Sequence, residues 1–219
     1  MAEELIEVTE SRKKDHIDLA FKSQVDMTDH RFYYEPLLSA QPENNMKKIP
    51  YICKKFKAHI WISSMTGGTG KAKTINENLG RACQEFGLGM GLGSCRIILE
   101  DDTFFKDFNL RPLISNDYPF FANLGVAQLE KLIVTKRISQ VNKLVDRLKA
   151  DGLIIHVNPM QEWLQPEGDH FNMPPLQVVE EILHAVDFPI IVKEVGQGIG
   201  YHSLKALFQL PLAAIDFAA

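Results

Sequence analysis

The sequence predicts an α/β fold of the (β/α)8 TIM-type barrel, present as an incomplete barrel of about six strands. Three observations predict it. Along residues 51–219, short apolar runs alternate with amphipathic helical segments, the pattern of parallel strands joined by right-handed crossovers. Polar or glycine-rich sequence follows nearly every apolar run, which suits a barrel that gathers its loops at one rim better than it suits a doubly wound sheet. About six strand-like runs are present, whereas a closed barrel needs eight. The missing strands are expected to belong to a longer protein of which this chain is a fragment.

The elements follow in order. Residues 1–50 are polar and irregular, with a helical piece expected near Ser11–Lys22 and a loop near Gln41–Asn45. His59–Met65 reads as the first strand, and Asn76–Phe86 as a helix because Leu79, Ala82, Cys83 and Phe86 share a face. Gly89–Ser94 and Phe120–Gly125 read as the second and third strands, and Val141–Lys149 as an amphipathic helix. A fourth strand spans Gly152–Asn158, and the Pro174-Pro175 pair starts a helix at Leu176–Ala185. Pro189–Val195, a helix at Ser203–Phe208 and a sixth strand from Ala213 complete the pattern.

Bulk properties narrow the function classes. Lys and Arg total 24 against 28 Asp and Glu, a net charge of −4, so no domain-wide basic field points to nucleic acid. Cys53, Cys83 and Cys95 are widely spaced and lack the paired spacing of zinc or redox sites. They read as free thiols of a reducing cytosol. The acidic N-terminus has no apolar signal core, and no apolar run approaches the ~20 residues of a membrane helix. The expectation is a cytoplasmic protein.

The densest chemistry lies at His156–Asp169, where an apolar strand ends in imidazole, amides and carboxylates. Alternation puts His156 and Asn158 on one face, with Gln161 and Glu162 on the loop beyond. A polar βα loop is the other reading. Ser63–Thr69 (Ser-Ser-Met-Thr-Gly-Gly-Thr) allows close backbone approach to a ligand, or is a structural turn. The Gly89, Gly91, Gly93 series has the wrong spacing for a dinucleotide fingerprint. It leaves one strand face bare, with room for a flat group or another backbone. Arg96 then stands past the strand end as an anion receptor or as a surface arginine. Arg12-Lys13-Lys14-Asp15-His16 is a phosphate clamp or a solvated helix face. Lys193, mid-strand on the face of Ile191 and Val195, demands an anion if it points into a barrel. Glu194 takes the opposite face. His59 and Trp61 read as packing residues, and Asn123 as a ring-edge partner or a satisfied buried amide.

Taken together, the motifs resemble the type 2, FMN-dependent isopentenyl diphosphate isomerases. The residues that carry the resemblance are Arg12-Lys13 with Asp15-His16, Ser64-Met-Thr-Gly-Gly68, Gly89-x-Gly-x-Gly-Ser94-x-Arg96, Ala122-Asn-Leu-Gly125, His156-x-Asn158 with Gln161-Glu162, Pro166-Glu-Gly-Asp169 and Val192-Lys-Glu-Val-Gly196. They occur in the family's order and span nearly the whole chain. The resemblance implies an isomerase of isoprenoid biosynthesis that interconverts isopentenyl and dimethylallyl diphosphate by allylic proton transfer. It implies reduced FMN, Mg2+ and NADPH as reductant, with no net redox change. Ser64, Met65, Thr66, Gly67, Ser94, Asn123 and Lys193 would hold FMN. Arg12, Lys13, His16, Arg96 and Gln161 would bind substrate, and Glu162 the metal. Gln161, His156 and Asn158 would form the catalytic set. Residues 1–50 would carry a substrate-binding lid, and 51–219 the partial FMN-binding barrel. The family forms homo-oligomers, tetramers or octamers at full length. Departures stand at Ala218, where many members have serine, and at Cys95 and Gln197. A hydroxy-acid-oxidase type of FMN barrel and an inactive truncated homologue are the alternatives.

Overall fold

A computed structural model of the chain describes residues 22, 37, 49–51, 54–58, 60–68, 70–99, 101–166 and 168–217. Arg12, Lys13, His16, the helix expected at Ser11–Lys22, His59 and Ala218 therefore lie outside the described residues, apart from Lys22 itself. The chain divides between residues 44 and 45, and the strands and helices with described bounds belong to the second unit.

Eight strands are described: β1 (Ile49–Tyr51), β2 (Lys54–Phe56), β3 (Trp61–Ser63), β4 (Gly89–Gly91), β5 (Phe120–Gly125), β6 (Gly152–His156), β7 (Ile190–Lys193) and β8 (Ala214–Asp216). β1 and β2 form an antiparallel hairpin, and β3 to β8 form one parallel sheet whose spatial order is the chain order. Seven α-helices accompany them: α1 (Gly70–Phe86), α2 (Phe105–Phe108), α3 (Val126–Val134), α4 (Ser139–Leu148), α5 (Pro159–Leu164), α6 (Pro175–Ala185) and α7 (Tyr201–Leu207). Unbroken order separates a curled barrel segment from a doubly wound sheet, in which the order reverses at a switch point. The expected incomplete barrel of six strands is what the sheet shows.

Burial follows the two-residue period of the strands. Ala122, Leu124, Leu153, Ile155, Ile190 and Val192 pack with Leu129, Leu132, Val141, Leu144, Val178 and Ile182 of the helices. The intervening residues Phe121, Ile154 and Ile191 form a separate cluster with Trp61 and Ala214. One sheet face is thus covered by helices, and the other becomes the barrel interior. Trp61 and Phe121 meet edge-on at 5.7 Å between centroids. A Cβ on Gly89 would come within 2.5 Å of the Trp61 ring, and one on Gly91 within 2.3 Å of Ile154. The bare face expected along β4 is therefore filled by Trp61 and Ile154 at these two positions.

Differences from the sequence reading have local causes. α1 begins at Gly70 rather than Asn76, because its buried stripe includes Ala72 and Asn76. A polar residue in that stripe breaks the apolar period that marks a helix in sequence. Gly87, at φ +65, ends the helix, and Leu88 N–H closes on the Cys83 carbonyl at 3.0 Å, a left-handed cap suited to glycine. α3 follows β5 without an intervening loop, so strand and helix read as one apolar run. Gln161 and Glu162 lie on the short helix α5, started by Pro159, and not on an open loop. None of the α5 residues is buried. No helix among the described residues is long and apolar enough to cross a membrane.

The N-terminal ends of the strands are tied by one buried ion pair. Arg111, whose side chain is 5% exposed, lies 2.9 Å from Asp151 and donates to the Lys149, Ser115 and Tyr118 carbonyls. Asp151 also accepts the Phe120 N–H at 2.8 Å and pairs with Lys54 of β2 at 2.5 Å. Removing one member of a buried pair leaves the other charge uncompensated. D151A is expected to cost about 3–5 kcal/mol, read as a lowered urea midpoint at unchanged slope.

Candidate active site

The parallel register sets the site. Gly125 pairs with His156, His156 with Lys193, and Lys193 with Asp216. These residues share the interior face with Asn123, Ile154 and Ile191, one step nearer the C-terminal strand ends, and with Phe121 a further step below. An apolar layer is thus succeeded by a polar row at the rim where barrel chemistry is housed.

Lys193 is half-buried, and its Nζ donates to the Glu194 carbonyl at 2.8 Å. Burial lowers its pKa, while the charges of Asp216 and Glu194 act the other way. Glu194 faces the helix side, as expected, and its carboxylate holds its own turn. Its Oε2 accepts the N–H groups of Gly196, Gln197 and Gly198 at 2.7, 2.8 and 3.0 Å. Burial alone would raise this carboxyl, but the converging N–H groups outweigh it and hold it below the ordinary range.

At the tip of β3, Ser64 and Thr66 both donate to Asn76 Oδ1, at 2.8 and 3.0 Å. Asn76, fully buried, donates in turn to the carbonyls of Thr66 and Asp107 at 3.1 and 3.0 Å. Met65, between the two hydroxyl residues, is 90% exposed. A Cβ on Gly67 would overlap Phe108, and one on Gly93 would reach the 65–66 backbone at 2.7 Å. At Gly93, then, another backbone occupies the space along β4. Ser94 is exposed and its Oγ lies 3.4 Å from the Arg96 N–H. Cys95 beneath it is buried, which pushes its thiol up to about 12, so it is inert packing.

The tip of β6 carries the densest network. Asn158 Nδ2 donates to Glu162 at 3.0 Å and to Gln161 at 3.3 Å. Glu162 Oε2 accepts the Asp169 N–H at 2.7 Å. Asp169 Oδ2 then accepts Arg96 at 2.6 Å and Gln128 at 2.8 Å. Arg96, Asn158, Gln161 and Glu162 are therefore joined through Asp169 and Gln128, two residues to which the sequence reading gave no role. Asn76 was the third omission. The Pro166–Asp169 motif marked Asp169 without disclosing its partners, and nothing local marks Gln128 or Asn76.

Among the described residues, three buried polar atoms at these tips have no hydrogen-bond partner: Asn123 Oδ1, His156 Nε2 and Asn158 Oδ1. Buried polar atoms are normally paired, so the three suit a ligand with polar edges. Asn123 holds the Leu92 carbonyl through its amide at 2.9 Å, which leaves that oxygen available. Among the described residues, no three His, Cys, Asp or Glu side chains gather to hold a metal ion unaided. Each oxygen of the Glu162 carboxylate accepts a hydrogen bond, Oε1 from Asn158 and Oε2 from the Asp169 N–H.

Comparison with known proteins supplies the family context. Isopentenyl-diphosphate delta-isomerase of Rickettsia typhi (strain Wilmington) is 36% identical over 213 residues, covering 94% of this chain and 61% of that protein. The protein of the same name from Rickettsia prowazekii (strain Madrid E) is 36% identical over 217 residues, with the same coverage. The chain is similar in sequence to these two isomerases. It spans 61% of the length of these curated relatives. No protein-family model matches it. Among solved structures, a mandelate oxidase variant with a monooxide FMN adduct superposes with a TM-score of 0.51 at 10% identity, over 77% of this chain and 49% of the oxidase. That likeness bears on the barrel fold alone.

Burial and the neighbouring Lys193 charge lower the His156 pKa to about 4, against smaller opposing effects of Glu162 and Glu194. The unfolded chain therefore binds a proton near pH 6.5 that the folded chain refuses until about 4. Stability should fall as pH drops through that window. H156N should flatten the dependence, as measured by urea midpoints at successive pH values. N76A should strand the Ser64 and Thr66 hydroxyls and cost about 1–3 kcal/mol. Accelerated amide exchange confined to residues 64–67 and 107 would locate the damage.

Proposed function

We propose that the chain carries the catalytic barrel segment of a type 2, FMN-dependent isopentenyl-diphosphate delta-isomerase. The reaction interconverts isopentenyl and dimethylallyl diphosphate by allylic proton transfer, with Mg2+ bound and NADPH serving only to keep the flavin reduced. The observation that carries the reading is the junction of Arg96, Asn158, Gln161 and Glu162 beside the His156–Lys193 row. The homologous isomerases, by their name, act on a diphosphate that this junction suits.

In this reading, Ser64, Met65, Thr66, Gly67, Ser94, Asn123 and Lys193 hold FMN. Asn123 Oδ1, buried and without a partner, is the acceptor for a ring N–H. Lys193 presents a cation from a half-buried strand position, where low dielectric strengthens its attraction for a reduced, anionic ring. The bound flavin would supply the acid and base for an unactivated alkene, a task beyond ordinary side chains. His156 stays neutral through the physiological range and so orients rather than repels a cationic substrate centre. Gln161, on α5, orients the substrate, and Asn158 fixes Gln161. Arg96 would neutralise diphosphate oxygens, and Glu162 would hold Mg2+, which would supply further positive charge to the diphosphate. The sequence resemblance adds Arg12, Lys13 and His16 to the diphosphate contacts. The proposed setting is the cytoplasm.

Reconstitution tests the reading. Incubated with FMN, the protein should retain a visible flavin band through gel filtration. With Mg2+ and NADPH it should convert isopentenyl to dimethylallyl diphosphate, followed by proton NMR. Retention of no flavin by the folded protein would remove the FMN assignment. Q161A should keep the flavin band and lose about 100-fold or more in turnover; wild-type rates would take Gln161 out of the site.

A further inference from the structure

Lys193 stands within the interior row, and its two flanks differ in kind. The parallel register sets it beside His156 on β6 and beside Asp216 on β8. Register partners on neighbouring strands lie about 5 Å apart and point to the same face. Two backbone bonds fasten the register at this level. The Val157 N–H donates to the Lys193 carbonyl at 2.8 Å, and the Glu194 N–H to the Asp216 carbonyl at 3.0 Å. On the β6 flank the imidazole, with its pKa lowered to about 4, offers no negative charge, and Glu162 of α5 acts on that imidazole. On β7 itself, Glu194 points to the helix side, and its Oε2 is committed to three N–H groups of its own turn. Asp216 is thus the carboxylate that shares the interior face with the ammonium. It also acts on Tyr51 of β1, whose phenol is pushed up by burial and then by this charge. Tyr51 stacks on Phe56 at 5.0 Å and meets Trp61 at 5.8 Å between centroids, so the hairpin holds the phenol in place.

We propose that Asp216 is a positioning residue that fixes the Lys193 ammonium as a standing positive charge on the interior row. Its bearing on function rests on the reading of Lys193 as a flavin contact, while the two side chains can be measured without the cofactor. A half-buried ammonium loses hydration, which favours the neutral amine. An opposite charge one strand away favours the charged form, and it acts through a protein interior that screens less than water. Asp216 and Glu194 both act on Lys193 in this sense, Asp216 the more strongly. A neutral amine here would be a nucleophile and a hydrogen-bond acceptor, and neither attracts a reduced, anionic ring. The carboxylate at 216 therefore selects which chemistry the lysine presents. Because the pair is neutral as a whole, neither charge is left uncompensated, and a ring set against the ammonium meets the positive end of a fixed dipole.

Trace acetylation with acetic anhydride across the alkaline range, quantified for Lys193 by peptide mass mapping on the 219-residue protein, reads this charge, because only the unprotonated amine reacts. The midpoint of the profile is the readout, since differences in access change the plateau and not the midpoint. Loss of the carboxylate leaves burial less opposed, so the midpoint falls. D216N should lower it by about one pH unit, which makes labelling below the midpoint about ten-fold faster relative to the plateau. D216S removes the same charge in a smaller side chain and should do likewise, and D216E should restore the wild-type midpoint. Lys71, exposed on α1, is the internal reference and should not move. Unchanged Lys193 midpoints in D216N and D216S overturn the proposal, as does a lowered midpoint that D216E fails to restore, since shape and not charge would then be responsible. Lowered midpoints in a protein whose wild type retains no flavin sink the cofactor reading while supporting the hold of Asp216 on Lys193. A retained flavin with unmoved midpoints keeps that reading and removes Asp216 from it.

Discussion

The constraint on which the rest depends is the strand register that aligns Gly125, His156, Lys193 and Asp216 across four neighbouring tips. Side chains alternate strictly along a strand, so a slip of one residue would send His156 or Lys193 into the helix-covered core. The apolar layer of Phe121, Ile154 and Ile191 forbids that slip, because it would be carried to the wrong face at the same time. Packing below the rim therefore fixes chemistry at the rim. Burial lowers the pKa of the half-buried Lys193, while the nearby Asp216 and Glu194 carboxylates act the other way and the Glu194 carbonyl accepts from its Nζ.

A second device recurs around that row. Loops here are shaped by side chains that accept backbone N–H groups or bridge loop groups, together with apolar anchors such as Phe171 and Met173 that pack against the core. Asn76 ties Ser64 and Thr66, Glu194 gathers three N–H groups of the turn after β7, and Glu130 holds the loop before α6. Asp151 does the same for Phe120 at the opposite end of the sheet. Charge-assisted bonds of this kind are roughly twice as strong as neutral ones. Such a scheme gives polar loops definite shapes without sealing them from solvent.

The alternation of apolar runs and amphipathic helices was enough to read the barrel class, the six parallel strands and the rim location from sequence, since these depend on local period alone. Lys193 was conspicuous because a charge inside an apolar strand violates that period. The couplings were not legible. Arg96 and Asp169 are 73 positions apart, and the Asn76 contacts reach 31 positions along the chain. Nothing in a local pattern encodes such meetings. Gly89, Gly91 and Gly93 show the same limit: their spacing announced an absent side chain, and only the packing revealed Trp61, Ile154 and the 65–66 backbone as the neighbours. Helix α5 was hidden because Met160, Trp163 and Leu164 face outward, so no buried stripe betrays it.

That last feature has a thermodynamic corollary. An element that buries no side chain gains little from packing, and its folded form is held mainly by the bonds around Asn158, Glu162 and Asp169. Such segments open at far lower free energy than the core strands and do so independently of global unfolding. Any guest that engages Gln161 and Glu162 must freeze this turn as it arrives, so part of its intrinsic affinity is consumed in ordering. Rigidity at α5 is thus a tunable reserve: stiffening the turn would tighten capture, and loosening it would hasten release, without altering a single direct contact.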